Sequence, residues 1–379
     1  MNSWIEVSGE LLAANYRIVA EAVGAETDVL AVVKANAYGH GAEACAVTLA
    51  KAGAKWFGVA TASEGAQVRR ALDAAGFADA EILVMCGLLQ EDVAAIVEFK
   101  LTPVVWTGRQ VEWLAGTGGR VHVEVETGMG RQGVRPGAEL DGLLDALSSA
   151  ELALDGALTH FCAAEAARPE KTREQQARFE AAIAQVCALG AAPKWVHAGS
   201  TSSVDNPAQA WPWLVAVAKT VGARAMVRCG IALYGYCLPI EDGDVPGRIR
   251  AKLKPAMVWK TRVLDVRDVA AGETVGYNAT FTAERPMRLA LLPVGYSDGL
   301  RRELGSTNAR PGGWVLIHGK RAAMVGRISM NLTVIDVTGI VGVCVGDEVV
   351  LLGDGVTADD HARLAGTISY EILCGVRPG

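Results

Sequence analysis

The 379-residue chain has no basic footprint, no membrane-length apolar run, no paired-cysteine pattern and no nucleotide-binding glycine loop, and each absence removes a class of function. Lys and Arg number 36 against 42 Asp and Glu, a formal net charge of -6, which argues against nucleic acid or an anionic membrane surface as the main partner. The longest apolar candidate, Trp213 to Tyr234, is interrupted by Lys219, Arg224 and Arg228, so it does not read as a membrane span. The start, Met1-Asn-Ser-Trp-Ile-Glu-Val, lacks the basic-then-apolar order of a secretory leader. Eight cysteines are scattered, none in a CxxC pair or a Cys/His cluster with zinc spacing, so the sequence predicts a reduced, cytoplasmic protein without a metal site. A small-molecule substrate suits this composition better than a macromolecule.

What is present is apolar bulk. Hydrophobic residues make up 51% and charged residues only 21%, enough for a large core in one sizeable domain plus a second, or in two to three modest ones. From about Leu11 to Tyr234, β-branched runs alternate with Ala- and Glu-rich stretches, the rhythm of repeated β/α units. Candidate strands are Val29–Val33, Trp56–Ala60, Ile82–Met85, Thr102–Trp106, Val121–Val125, Leu154–Phe161, Lys194–His197 and Met226–Ile231, with helices over Glu43–Ala52 and Thr172–Leu189. Eight such units favour a closed (β/α)8 barrel over an open doubly wound sheet, and no GxGxxG follows the first strand. Barrel chemistry gathers at the C-terminal strand ends, where Lys34, His160, His197 and Arg228 fall.

Past Cys237 the texture changes. Pro239-Ile-Glu-Asp-Gly-Asp-Val-Pro246 reads as a linker or crossing loop. Short runs then follow at Ala256–Val266, Arg288–Pro293, Trp314–Ile317, Arg321–Val325, Asn331–Val337 and Glu348–Leu352, with a helix near Thr357–Gly366. The pattern predicts a compact, mostly antiparallel β domain.

The stretch Ala31-Val-Val-Lys34-Ala-Asn-Ala-Tyr38-Gly-His-Gly41 ends a buried strand on a lysine. A lysine there is either a solvated cap or an amine wanted for covalent chemistry, because burial of an ammonium is costly and lowers its pKa. Period-2 spacing puts His122, Glu124 and Glu126 on one strand face, ahead of Thr127-Gly-Met-Gly-Arg131, where Arg131 is free to meet an anion. Structural ion pairing and a polar site explain those carboxylates equally well. Arg228-Cys-Gly230-Ile231 joins a strand-end arginine to a glycine around which backbone N–H groups can cradle phosphate.

Together AVVKANAYGHG (Ala31–Gly41), TGMGR (Thr127–Arg131), THF (Thr159–Phe161), RCGIALYG (Arg228–Gly235), GYNATF (Gly276–Phe281), GRISM (Gly326–Met330) and GTISYE (Gly366–Glu371) resemble the alanine racemase family, in its order, from Trp4 almost to the C-terminus. The resemblance implies a pyridoxal 5'-phosphate (PLP) enzyme that interconverts L- and D-alanine and supplies D-alanine for peptidoglycan. It implies an N-terminal (β/α)8 TIM-like barrel that binds PLP, residues 1–237, and a C-terminal mostly antiparallel β domain, residues 238–379, completing the partner subunit's site in a head-to-tail homodimer. Lys34 would carry the cofactor and act as one acid/base group, on the D face, and Tyr277 from the other chain as the second, on the L face. Arg228 would meet the pyridine nitrogen, oriented by His160. Tyr38, Thr201, Tyr370 and the backbone of Gly230 and Ile231 would hold the phosphate. Arg131 and Met330 would meet the substrate carboxylate, and Tyr296 resembles an entrance residue. The chain departs from the family's pattern at Glu124, where many members carry a carbamylated lysine, at Asn331, more often aspartate, and at Thr201, more often serine. Glu124 is expected to act as a permanent anion that fixes Arg131. Tyr370 favours alanine over serine. The rival readings are a racemase of serine or broader small amino acids, a fold-related decarboxylase or aldolase, and a non-catalytic PLP-binding barrel.

Overall fold

The computed structural model describes residues 2–209, 211–241 and 245–378. Of the turn-rich stretch expected to link the two halves, Asp242, Gly243 and Asp244 lie outside the described residues. The chain divides into two compact units.

The larger unit, Gly9–Ala37 with Gly41–Lys254, is a closed barrel of eight parallel strands: β2 (Thr27–Val32), β3 (Trp56–Val59), β4 (Glu81–Val84), β5 (Thr102–Val105), β6 (Arg120–Glu124), β7 (Ala153–Leu158), β8 (Trp195–His197) and β9 (Arg224–Cys229). The strands are short and Val/Ile/Leu-rich because a barrel strand is covered on both faces. The strands expected to reach Phe161 and Ile231 stop at Leu158 and Cys229, where the chain leaves the ladder to form loops at the barrel's C-terminal mouth. The N-terminal rim is closed by charge: Arg120 bridges Glu81 at 2.6 Å and Asp155 at 3.2 Å, Lys194 reaches Asp155 at 2.9 Å, and Arg224 holds Asp28 at 2.7 Å.

Inside the barrel the filling is unusually polar. His122 and His197 are fully buried and joined by a 2.8 Å bond between Nδ1 of His122 and Nε2 of His197. The Trp56 and Trp195 rings pack around His122, with centroids 5.5 and 6.4 Å from it. On the neighbouring strand, Gly156 leaves the space the imidazole occupies: a Cβ there would lie 2.5 Å from Nδ1 of His122. Burial pushes His122 down to about 3 and His197 well below the ordinary imidazole range, so both rings are neutral.

The second unit runs from Pro255 onward and includes the Tyr38–His40 turn and strand β1 (Ser3–Val7). Its main sheet pairs β1 with β10 (Met257–Arg262) and continues through β18 (Glu348–Leu352), β15 (Trp314–Ile317) and β16 (Lys320–Ala323), all antiparallel. A three-stranded sheet orders β11 (Asp265–Val269), β14 (Met287–Leu292) and β17 (Thr333–Asp336), and β12 (Thr274–Val275) pairs with β13 (Phe281–Thr282). The single expected run Ala256–Val266 is thus two strands in two sheets. Strand β1 has no counterpart in the strands expected from sequence, since five residues reading SWIEV carry little pattern alone.

The barrel core has two measurable consequences. Gly156→Ala drives a methyl group into His122 and is expected to cost about 1–3 kcal/mol by overpacking, read as a drop in urea midpoint. The buried histidines make stability pH-dependent. Above the ordinary imidazole pKa of 6.5 folded and unfolded chains are alike in protonation; below it the unfolded chain takes up protons that the fold refuses, so stability is lost as pH falls from 6.5 towards about 3. Each such histidine contributes a slope of about 1.4 kcal/mol per pH unit in that window, so urea titrations of His122→Gln from pH 6.5 to 4 should show a shallower loss than the parent chain.

Candidate active site

At the end of β2 the chain does something its composition does not announce. Ala35, Asn36, Ala37 and Tyr38 all take positive φ, between 52° and 54°, forming a left-handed turn directly after Lys34. Left-handed backbone costs about 1–2 kcal/mol per L-residue, so neighbours must hold it. They do. The Glu64 carboxylate accepts the N–H of Ala35 and of Ala60, both at 2.7 Å, while Thr61 caps the helix that carries it. The Asn36 side chain accepts the N–H of Ala42 at 2.9 Å and its carbonyl accepts that of Gly41 at 2.9 Å. The turn places Lys34, half-buried, at the barrel mouth, where its amine makes no hydrogen bond or ion pair among the described residues.

Arg228, at the end of β9, is 7% exposed and forms no ion pair among the described residues. Its partners are neutral acceptors: Nη2 donates to the Thr159 carbonyl at 2.7 Å and to Nδ1 of His160 at 3.1 Å, and Nη1 donates to Nδ1 of His197 at 3.3 Å. A guanidinium only donates, so it dictates the tautomers: His160 and His197 accept at Nδ1 and carry their proton on Nε2. His197 then donates onward to His122. Burial lowers Arg228 to about 10, still charged at neutral pH, and burial with the nearby Arg228, Arg131 and Lys34 charges pushes His160 down to about 3. The expected pairing of His160 with Arg228 is thus present. His197 and His122, which the sequence offered only as a strand-end residue and one of a face, extend it into the core.

Beside β9, the Thr201 hydroxyl accepts the N–H of Ala232 at 3.2 Å, tying the Gly230–Ile231 corner to the helix start that follows β8, with both Thr201 and Ile231 fully buried. Glu124, 4% exposed, is held protonated to higher pH by burial, opposed by its hydrogen bond from Gln132 and by Arg228 and Arg131. That bond, from Nε2 of Gln132 at 2.6 Å, is the direct contact; Arg131, exposed, makes no hydrogen bond or ion pair among the described residues. The expected Glu124–Arg131 contact is therefore not a direct one. Glu126 instead ties its own loop, accepting the N–H of Gly128 and, at 2.8 Å, of Gly130.

The second unit carries the remaining residues. The Tyr38 and Tyr370 rings meet edge-on with centroids 5.8 Å apart, and Gly39 lets the Tyr38 turn approach so closely that a Cβ would lie 2.5 Å from the Leu373 carbonyl. Elsewhere on this unit the N–H groups of Tyr296 and Ser297 donate to the carbonyls of Ser329 and Met330 at 3.1 and 3.0 Å, and Nδ2 of Asn331 donates to the Ser297 hydroxyl at 2.7 Å. Gly326 fits against the Val275 carbonyl, two residues before Tyr277. Tyr277, Tyr296 and Met330 are 63%, 45% and 55% exposed, high for large side chains. Among the described residues no group of three His, Cys, Asp or Glu is placed to hold a metal, and no helix is long and apolar enough to cross a membrane.

Comparison with known proteins agrees with this geometry. Residues 7–238 match the family "Alanine racemase, N-terminal domain" and residues 256–379 match "Alanine racemase, C-terminal domain". A protein of Symbiobacterium thermophilum named alanine racemase is 37% identical, covering 99% of this chain and 94% of its own. The alanine racemase structure from Streptomyces coelicolor A3(2) superposes with a TM-score of 0.85 at 31% identity, covering 99% of this chain and 96% of that one. That from Bartonella henselae, solved with covalently bound pyridoxal phosphate, has a TM-score of 0.81 at 27% identity, covering 100% and 98%. Matched end to end by both domains and by relatives of this similarity, the chain belongs to the alanine racemase family, the enzymes that interconvert L- and D-alanine.

Proposed function

We propose that the chain racemises alanine by a two-base mechanism, with PLP at the barrel mouth and with Lys34 Nζ and the phenol of Tyr277 of the partner subunit as the two proton carriers. The observation that carries this reading is Arg228: a buried, donor-only cation braced by neutral groups, its Nε–H without a partner among the described residues, with the Arg131 cation near it and the Lys34 cation near its partner His160. Such a mouth is matched by an anionic cofactor and a carboxylate substrate.

PLP, when bound, supplies the electron sink that lets the α-proton leave. Lys34 would anchor it; Tyr38, Thr201, Tyr370 and the N–H groups of Gly230 and Ile231 would hold its phosphate; Arg228 would face its ring nitrogen. Because a guanidinium has no acceptor capacity, Arg228 leaves that nitrogen without a proton. The neutral His160 and His197 keep Arg228 aimed without neutralising it. Arg131 would take the substrate carboxylate, helped by the backbone of Met330 from the other chain. Racemisation needs a base on each face of the α-carbon, since a proton lost on one face must be regained on the other. Lys34 would serve the D face and Tyr277 the L face. Glu124, oriented by Gln132, would act on Arg131 and Arg228 through space in its ionised form.

The exposed Tyr277, Tyr296, Met330 and Asn331 edge supports a homodimer in which residues 238–379 of one chain complete the site of the barrel, residues 1–237, of the other. The acidic balance and scattered cysteines support a cytoplasmic enzyme making D-alanine for peptidoglycan.

Purified chain with PLP should racemise L- and D-alanine, followed by decay of circular dichroism. Lys34→Ala and Tyr277→Phe should each slow both directions by about 10²–10⁴-fold, the usual worth of a positioned acid/base group. Tyr277→Phe should still exchange the α-hydrogen of D-alanine with deuterated solvent while losing exchange from L-alanine; retained exchange from both would end the two-base assignment. Glu124→Gln should weaken alanine affinity, and unchanged affinity and rate would remove Glu124 from the site. Serine and other small amino acids in the same assay test the broader racemase reading.

A further inference from the structure

Arg131 is exposed and makes no side-chain hydrogen bond among the described residues, so its placement rests on the backbone of its loop. That loop is held at Thr127 from the side by two residues of the helix Glu170–Ala188, Gln175 and Arg178, of which Gln175 is fully buried and fully used. The Gln175 carboxamide accepts the N–H of Cys162 at 2.9 Å, and its two N–H groups donate to the His160 carbonyl at 3.0 Å and to the Thr127 hydroxyl at 3.2 Å. The number of hydroxyl protons sets the direction of the remaining bonds. Thr159 spends its one hydroxyl hydrogen on the Val125 carbonyl at 2.9 Å, so across the 2.7 Å contact between the two threonines Thr127 is the donor. A single directed chain therefore runs from Gln175 through Thr127 and Thr159 to the strand β6 end, and aligned bonds of this kind polarise one another. One turn further along the helix, Nη1 of Arg178 donates to the Thr127 carbonyl at 2.9 Å. Gly128, at φ +136°, passes so close that a Cβ would sit 3.2 Å from that Nη1.

The chain meets the groups that steer Arg228 at two points: His160, which Gln175 grips directly, and Thr159, which it reaches through Thr127; the His160 ring and the Thr159 carbonyl accept the Arg228 Nη2. We propose that Gln175 is a positioning residue that holds the Arg131 loop in register with the His160–Arg228 pair, touching neither substrate nor cofactor itself. The inference rests on the reading that Arg131 binds the substrate carboxylate.

The test compares Gln175→Leu with Gln175→Glu, which keeps the size and the acceptor but as a carboxylate cannot donate to Thr127 or His160. Both should raise the KM for L- and D-alanine about tenfold with kcat changed less than about threefold, the pattern of lost ground-state alignment. In the same proteins, before substrate is added, hydrogen exchange of the Gly128–Arg131 amides should quicken by about tenfold while the barrel strands keep their protection. Thr127→Val should reproduce both effects, and the double variant Thr127→Val/Gln175→Leu should be no worse than either single one, because one chain is cut in two places. Wild-type KM and wild-type loop exchange in the folded variants, with only the melting temperature lowered, would overturn the inference. Arg131→Ala separates it from the reading beneath. Unchanged KM in Arg131→Ala refutes the carboxylate role of Arg131, whereas raised KM there with no effect of either Gln175 variant refutes the positioning role of Gln175.

Discussion

The burial of Arg228 without a directly paired carboxylate among the described residues is the constraint from which the barrel mouth is built. A guanidinium taken out of water needs an acceptor for its donors, and a carboxylate would serve best energetically. Here the acceptors are two imidazoles and a carbonyl. Each imidazole must be neutral and in one tautomer, so the arginine's donor-only chemistry propagates through His197 to His122. The barrel interior accommodates this with a glycine at 156 and two tryptophans around the inner ring. Stability at low pH is given up for a cation that keeps its charge and its aim.

A second constraint is geometric. The turn after Lys34 uses four consecutive non-glycine residues in left-handed backbone, a conformation that L-residues adopt only when held. Glu64 and Asn36 hold it by accepting backbone N–H groups that the turn would otherwise leave unpaired. The held backbone begins directly after Lys34, so it fixes the point from which that side chain leaves the barrel strand. The opposite solution appears at Arg131, whose side chain has no bond among the described residues while its loop is fastened by Glu126, Gln175 and Arg178. A lysine directly before a held left-handed turn and an exposed guanidinium on a fastened loop fit the proposed roles of cofactor anchor and carboxylate-binding group.

The remaining site residues divide by unit in a way that matches their chemistry. Groups that need a dry, preorganised setting, Arg228, His160, His197 and Thr201, are on barrel strand ends and the loops directly after them. Tyr277, Tyr296 and Met330 stand exposed on loops of the second unit, where backbone bonds from Tyr296 and Ser297 to Ser329 and Met330 hold the Tyr296 and Met330 loops together. Large side chains kept this open on an ordered loop edge are at home against another surface.

Much of this was legible in the chain alone. The eight-strand barrel follows from alternating β-branched and Ala-rich runs, because strand and helix periods are local properties of sequence, and the ends of β2, β7 and β9 could be marked by Lys34, His160 and Arg228. The motif order was enough to indicate the family. Tertiary structure alone decided the rest: that SWIEV at the N-terminus joins the sheet of the C-terminal unit, that Glu124 is met by Gln132 and not by Arg131, that KANAY turns left-handed, and that Gln175, an unremarked helical polar residue, is wholly buried. Each of these depends on which groups come together across tens to hundreds of residues. A hydrogen bond is chosen by distance and direction in space, and a single sequence records neither.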